Sequence, residues 1–272
     1  MLKVRDILDA IEKISPVALQ ESWDNSGFQI NLGLDRPVSK VMTCLEISDS
    51  VVDEAIDKGV DMIITHHPLI FGKLSKVDAG DIIGNQLIRL ISAGITLYSA
   101  HTSFDSALMG TNQHLAEAIG LQDVQPMVPS EAYPGCGMGR WGVYERPKMF
   151  AEFIRDVEKI CGRSDIRVAG KIPAIVNKVA LCTGAGSEFI HPACDMGAEV
   201  FITGDLKYHD ARHADDIGIC VVDAGHFGTE VIFADNMAAQ LQELFGEEIE
   251  IIISETDINP FISVKELQDI MQ

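Results

Sequence analysis

The sequence predicts an α/β fold built as two pseudo-symmetric α/β domains with mainly parallel sheets and a cleft between them. Three observations predict it. Short apolar runs of strand length alternate with stretches of helical period, the pattern of βαβ units. The second half repeats the first in register. Histidines paired with acidic residues recur just past corresponding strand ends. A chain of 272 residues suits two domains, each large enough to bury a core. The expected division is 1–127 and 128–272, with the C-terminal helix from about 229 packing back on the first domain.

In chain order, Val4, Ile7, Leu8, Ile11 and Ile14 form a helical stripe that ends near Pro16. Lys40–Leu45 reads as a short strand. The next helix opens at Ser48, Asp49 or Ser50 and closes at Gly59. Asp61–Thr65 is a buried strand that runs directly into His66-His67-Pro68. A helix over about Asp81–Ala93 presents Ile83, Leu87, Leu90 and Ile91, and Gly94 stops it. Strand Ile95–Ser99 then leads into Ala100-His101-Thr102-Ser103-Phe104-Asp105.

Ser39-Lys40-Val41-Met42-Thr43-Cys44 aligns with Asn177-Lys178-Val179-Ala180-Leu181-Cys182, 138 residues on. The same offset, without a gap, carries Ala55 to Ala193, Gly59 to Gly197, Ile64 to Ile202 and Thr65 to Thr203. Beyond a shorter helix, His101-x-x-x-Asp105 meets His226-x-x-x-Glu230. Two related halves with one site between them follow from this register. The second half has Gly204-Asp205 where the first has His66-His67, so the halves share one asymmetric site. Thr229 is placed to cap the last long helix, which puts Glu230 in its first turn.

Composition narrows the function. Lys and Arg number 21 against 41 Asp and Glu, a net charge of −20. So acidic a chain lacks the clustered cations that nucleic-acid phosphates require. No run approaches the ~20 apolar residues of a membrane span, and no signal segment opens the chain. The six cysteines stand far apart without a CxxC pair, the pattern of free thiols in a reducing cytoplasm. Residues 129–177 lie outside the repeat. Their Pro134-Gly135-Cys136-Gly137-Met138-Gly139-Arg140 run lacks the Lys-Ser/Thr of a phosphate loop and reads as a tight turn or strand bend.

The chemistry lies in the histidines. Neighbouring side chains in a strand point to opposite faces, but at a strand's carboxyl end both can turn into one crevice, where open α/β sheets bind ligands. Imidazoles and carboxylates gathered from such ends suit zinc, iron, manganese or nickel, and a shared carboxylate can bridge two ions. Taken singly, each motif reads as readily as a hydrogen-bonded strand-end pair or a helix cap. Together, at equivalent places in a duplicated scaffold, they favour metal. His114, His191, His209 and His213 read as surface or satisfied residues.

Trp23-Asp24-Asn25-Ser26-Gly27, Thr65-His66-His67-Pro68, Ser99-Ala100-His101-Thr102-Ser103-Phe104-Asp105, Thr203-Gly204-Asp205 and Gly225-His226-Phe227-Gly228-Thr229-Glu230 resemble the Nif-three-like family, also described as type-two homologues of GTP cyclohydrolase I or dinuclear-metal-centre proteins. The resemblance spans nearly the whole chain, in the family's short form. It implies two divalent ions per subunit, held by His66, His67, Asp105, His226 and Glu230 with Glu230 bridging, and a proton-handling His101 beside them. It also implies a ring-shaped homohexamer. The function expected is a metal-dependent hydrolase that uses metal-bound hydroxide on a nucleotide or other small molecule. The alternative is a non-catalytic metal-binding, interaction or metal-donor scaffold. Lys73, Lys76, Arg140 and Lys207 are the cations expected to meet an anionic substrate.

Overall fold

A computed structural model describes residues 1–162, 165–262 and 267–268. The first half runs β1 (Leu2–Lys3), α1 (Val4–Ile14), β2 (Gly27–Ile30), β3 (Pro37–Val38), β4 (Lys40–Cys44), α2 (Asp49–Asp57), β5 (Met62–Thr65), α3 (Ile82–Ala93), β6 (Thr96–Ser99), α4 (Thr102–Asp105) and α5 (Thr111–Ala118). There follow β7 (Gln122–Pro129), β8 (Gly137–Met149), α6 (Phe150–Ile160), β9 (Arg167–Gly170), β10 (Ile175–Leu181), α7 (Ile190–Asp195), β11 (Val200–Thr203), α8 (Tyr208–Ile217), β12 (Cys220–Asp223), α9 (His226–Glu230), α10 (Ile232–Phe245) and β13 (Glu250–Ile253).

The helices begin where the sequence places their caps. Ser48 Oγ accepts from Val51 N at 3.2 Å and Asp81 Oδ2 from Gly84 N at 3.2 Å, which satisfies N–H groups that have no partner inside the helix. Thr229 does not cap. It lies inside α9, and its Oγ1 donates to the carbonyls of Gly225 and His226 instead. The short α9 already turns here, so the next helix needs no separate cap at this point.

Two sheets carry the repeat. One has the order β13-β4-β5-β6-β2, parallel except where β2 joins β6. The other has the order β7-β8-β10-β11-β12-β9. Its β10-β11-β12 centre is parallel and its flanking pairings are antiparallel, so this sheet is mixed. For β7 and β8 the cause is local: a short loop joins them, and only antiparallel neighbours can be connected that way. The triplets β4-β5-β6 and β10-β11-β12 are the repeated strands. The glycine run forms the end of that loop and the start of β8, as a bend. A Cβ on Gly137 would lie 2.1 Å from the Val128 carbonyl oxygen.

Alternate residues along each strand enter different cores, because successive side chains point to opposite faces. Val41, Met62 and Ile64 pack with α1 and α10, whereas Met42, Ile63 and Leu97 pack with α2 and α3. In the second sheet Val179, Val200 and Val222 face α5 and α6, while Ala180, Phe201 and Val221 face α7 and α8. The chain exchanges partners across the middle. The 127/128 divide falls inside β7, and α5 already packs on the second sheet. In return, α10 inserts Phe233, Met237 and Leu241 into the first core, each worth roughly 1.5–3 kcal/mol of burial, and β13 pairs with β4. Glu230 therefore leaves the second half on a helix whose continuation is anchored in the first.

Candidate metal centre

The site forms at the carboxyl ends of β5, β6 and β12. After Thr65 the chain turns, with Thr65 Oγ1 donating to the His67 carbonyl at 2.9 Å. That turn frees both imidazoles from strand alternation. Their rings lie on the same side, 5.2 Å apart and only 35° from parallel. His101 precedes α4 and Asp105 ends it, while α9 spans His226 to Glu230. All six residues come together, as three overlapping groups of donors: His67, His226 and Glu230; His66, Asp105 and Glu230; and His66, His67 and His101.

Glu230 is the common member of the first two groups, and it divides its oxygens between them. Oε2 lies 2.9 Å from His67 Nε2 and 3.0 Å from His226 Nε2, while Oε1 lies 3.6 Å from His66 Nε2. His66 Nε2 is also 3.5 Å from Asp105 Oδ1. The carboxylate is 3 % exposed and His66 is fully buried.

The far side of each imidazole is fixed. His66 Nδ1 meets the Ala100 carbonyl at 3.0 Å, His67 Nδ1 meets Glu46 at 3.0 Å, and His226 Nδ1 meets Asp205 at 2.8 Å. Each of these partners is an acceptor, so each Nδ1 carries the proton and each Nε2 presents a lone pair. Those lone pairs point at carboxylate oxygens. Acceptors gathered in this way require a cation among them, either protons or a metal ion. His66 Nε2 is buried with no hydrogen-bond partner at all, a costly orphan unless such a cation meets it. Tetrahedral ligands at ~2.0–2.1 Å from zinc stand about 3.3 Å apart, close to the His67–His226 Nε2 separation of 3.4 Å. The donor set fits divalent ions.

Without metal, the same geometry moves the titrations. Burial pulls the His67 imidazole down, but the Glu230 and Glu46 carboxylates outweigh it and push it up to about 10. His226 is raised to about 9 for the same reason, with Glu230 and Asp205 outweighing burial. His66 is likewise raised, Asp105 and Glu230 overcoming burial. Burial and the adjacent Glu230 charge raise Asp105, whereas the three imidazoles hold Glu230 well below the usual carboxylate range despite burial.

The second half supplies room as well as donor groups. A Cβ on Gly184 would sit 2.2 Å from Glu230 Oε1, on a backbone with φ +64°. A Cβ on Gly204 would sit 2.5 Å from His226 N. Asp105 is held by the hydroxyls of Thr111 and Thr183, the latter at 3.3 Å. Thr183 N in turn donates to Asn112 Oδ1 at 2.9 Å.

Sequence reasoning assigned no role to three residues that matter here. Glu46 and Asp205 orient the imidazoles of His67 and His226, the arrangement that raises ligand basicity in metal sites. Asp24 binds His101 Nδ1 at 2.7 Å, Thr102 N at 3.1 Å and Thr102 Oγ1 at 2.6 Å, and accepts from Ser26 Oγ at 2.7 Å. Burial raises the Asp24 carboxyl, but these bonds, led by His101, carry it far below its ordinary range. An acid just past a strand end, as at Glu46 after β4, was the available signal.

A cavity of about 280 Å³ opens beside the cluster, lined by residues of both halves. The four cations expected to meet substrate are not among its lining residues. Arg140 is 0 % exposed and donates to the carbonyls of Gly137, Gly139 and Ala107. Lys76 pairs with Asp78, and Lys73 and Lys207 are exposed outside the cavity. His191 stacks on His213, away from the donor groups.

Residues 2–260 match the family Duf34/NIF3 (NGG1p interacting factor 3). The chain is 32% identical over 260 residues to a protein of Clostridium perfringens named "GTP cyclohydrolase 1 type 2 homolog", covering 96% of this chain and 99% of that one. Its structure is similar to a Bacillus cereus protein related to NIF3, with a TM-score of 0.87, 26% identity and coverage of 96% and 99%. It is also similar to reduced HcgD from Methanocaldococcus jannaschii, with a TM-score of 0.78, 29% identity and coverage of 94% and 98%. By family match, sequence identity and fold together, the chain belongs to the DUF34/NIF3 family.

Proposed function

We propose that this protein holds two divalent metal ions and is a metal-dependent hydrolase acting on a nucleotide or other small molecule. The observation that carries the reading is the way Glu230 is shared. One oxygen faces His67 and His226, and the other faces the His66 Nε2 that has no hydrogen-bond partner and lies near Asp105. His66, Asp105 and Glu230 would hold one ion, and His67, His226 and Glu230 the other. Bound there, divalent ions supply Lewis acidity and acidify water near neutral pH.

The chain's own residues do the rest. Ala100, Glu46 and Asp205 lock the tautomers, so every Nε2 enters the cluster as an acceptor. Asp24 occupies His101 Nδ1, which leaves Nε2 as the ring nitrogen that exchanges a proton with a molecule in the cavity. The name carried by the relatives points the same way, toward opening a ring by water.

The test is turnover by metal-replete protein over a panel of nucleotides, cyclic amides and phosphoesters, beside Glu230→Ala. Turnover that the variant lacks supports the hydrolase. Equal inertness of both across the panel overturns it, and a protein that still binds two ions would then be a metal holder without catalysis.

A further inference from the structure

The walls of the cavity say what kind of molecule belongs there. Trp23 and Phe71 stand at its edge, 59 % and 57 % exposed, with ring centroids 6.0 Å apart. Each also lies about 6 Å from the His101 ring, at 6.0 and 6.1 Å. Phe189 of the second half joins the lining. Large aromatic rings left open to water beside a reactive centre are faces on which flat molecules stack.

These rings are held in place. Asn25 Nδ2 donates to the Ile70 carbonyl at 2.6 Å, and Ile70 N donates to Gln29 Oε1 at 3.0 Å. The segment carrying Trp23 and the segment carrying Phe71 are thus pinned to each other. Asp24, next to Trp23, is fixed by His101, by two groups of Thr102, by Ser26 and by the Asn25 N–H. Ring faces set before a ligand arrives lose less ordering entropy on binding.

The charge is the second, independent observation. Glu21 and Glu188 line the cavity, and among its described lining residues there is no Lys or Arg. Two divalent ions would bring four positive charges. Against them stand five carboxylates in or bonded to the cluster: Asp105, Glu230, Glu46, Asp205 and Asp24. A phosphate tail would meet acids where phosphate sites use cations or helix N-termini. The volume of about 280 Å³ is also at the small end for ligand cavities.

We infer that the molecule on which the proposed hydrolytic site acts is a flat heterocycle without phosphates, neutral or cationic, stacked on the Trp23–Phe71 rim. This rests on the metal-dependent reading above.

The experiment measures equilibrium binding to the full metal-loaded chain by calorimetry, with metal content read in the same samples. The probes are adenosine, guanosine, cytidine and uridine, each beside its 5′-monophosphate and 5′-triphosphate. The expected result is at least one nucleoside bound tenfold or more tighter than its triphosphate. Trp23→Ala and Phe71→Ala each weaken it about tenfold, the scale of one base–aromatic stack, with metal content unchanged. Glu188→Gln narrows the gap between nucleoside and triphosphate. Triphosphates binding more tightly than every nucleoside overturn the inference, as does no nucleoside binding at all, or binding indifferent to both aromatic variants. Wild-type protein that holds no metal instead overturns the function it rests on, so the two failures are told apart.

Discussion

The ends of β5 and β11 occupy the same place in the two halves, and they do opposite work. After Thr65 come His66 and His67, whose Nε2 atoms face Glu230. After Thr203, 138 residues on, come Gly204 and Asp205. Gly204 clears space against the backbone of His226, and Asp205 orients the imidazole of the same residue. Likewise Glu46, which orients His67, has as its counterpart Gly184, which leaves room for Glu230 Oε1. The strand ends match, and at these two the side chains divide into donors after β5 and supports after β11. A second His-His pair could not stand here, because a side chain at position 204 would collide with the backbone that carries His226.

The comparison breaks most severely at the shared residue. Glu230→Ala removes a member of both donor groups, so elemental analysis is expected to fall from two ions per chain to none tightly held. Gly184→Ala tests the other half's role as space. Its Cβ collides with Glu230 Oε1 on a left-handed backbone, so metal affinity is expected to drop at least tenfold, with about 1–3 kcal/mol of stability lost. Retained affinity would show that the glycine is not needed for room.

Arg140→Met asks whether the second half also braces the first. The guanidinium is buried on three carbonyls, including Ala107 of the first half, and also donates to Gln113 Oε1 at 2.9 Å. Burial pulls it down to about 10, still charged at neutral pH. Losing it is expected to cost roughly 2–4 kcal/mol, since buried acceptors lose their donors. The melting temperature reports it, with little change in nucleoside binding if Arg140 has no part in the cavity.

Asp205→Asn and Glu46→Gln sharpen the comparison by removing one orienting carboxylate from each half. Each is expected to weaken metal binding by about 10–100-fold, read by competition with a chelator. Both imidazoles belong to the group that His67, His226 and Glu230 form, so unequal losses would mean that the two halves support that one group unequally.

The smallest effect concerns a device found only in the first half. Glu54 accepts from Lys58, Ser254, Glu255 and Thr256, and its counterpart in the repeat is Pro192. Burial raises the Glu54 carboxyl, but those bonds bring it down to about 2 from an ordinary 4.5. A carboxyl depressed on folding stabilises fully above its unfolded value, and that support is lost as pH falls through the folded one. The segment 254–256 is therefore expected to gain hydrogen exchange between pH 4.5 and 2, and Glu54→Gln to flatten that dependence.

Much of this was readable in the sequence. The repeated strands and their caps follow from hydrophobic period and from Ser48, Asp81 and Gly94. The histidines and acids that gather in the structure stand at strand ends, where alternation no longer separates neighbours. The rest depends on contacts distant in sequence. Asp24 meets His101 77 residues away, and Glu46 meets His67 21 away. Arg140 read as a substrate cation because arginine is usually exposed, and only the packing around its three carbonyls reveals otherwise. Thr229 read as a cap because a long apolar helix follows, and the short turn of α9 before it leaves no local signal. The antiparallel β7–β8 edge of the second sheet comes from the short loop between them, whose glycines pointed to a bend without naming its partner strands.

The account rests on one carboxylate serving two groups of donors. Its most direct test is the number of zinc or manganese ions bound per chain after metal loading and desalting, in wild type, His66→Ala and His226→Ala. Two ions are expected in wild type and one in each single variant, because each substitution removes a donor from only one of the two groups that share Glu230. A single ion in wild type, or occupancy indifferent to both substitutions, would contradict it.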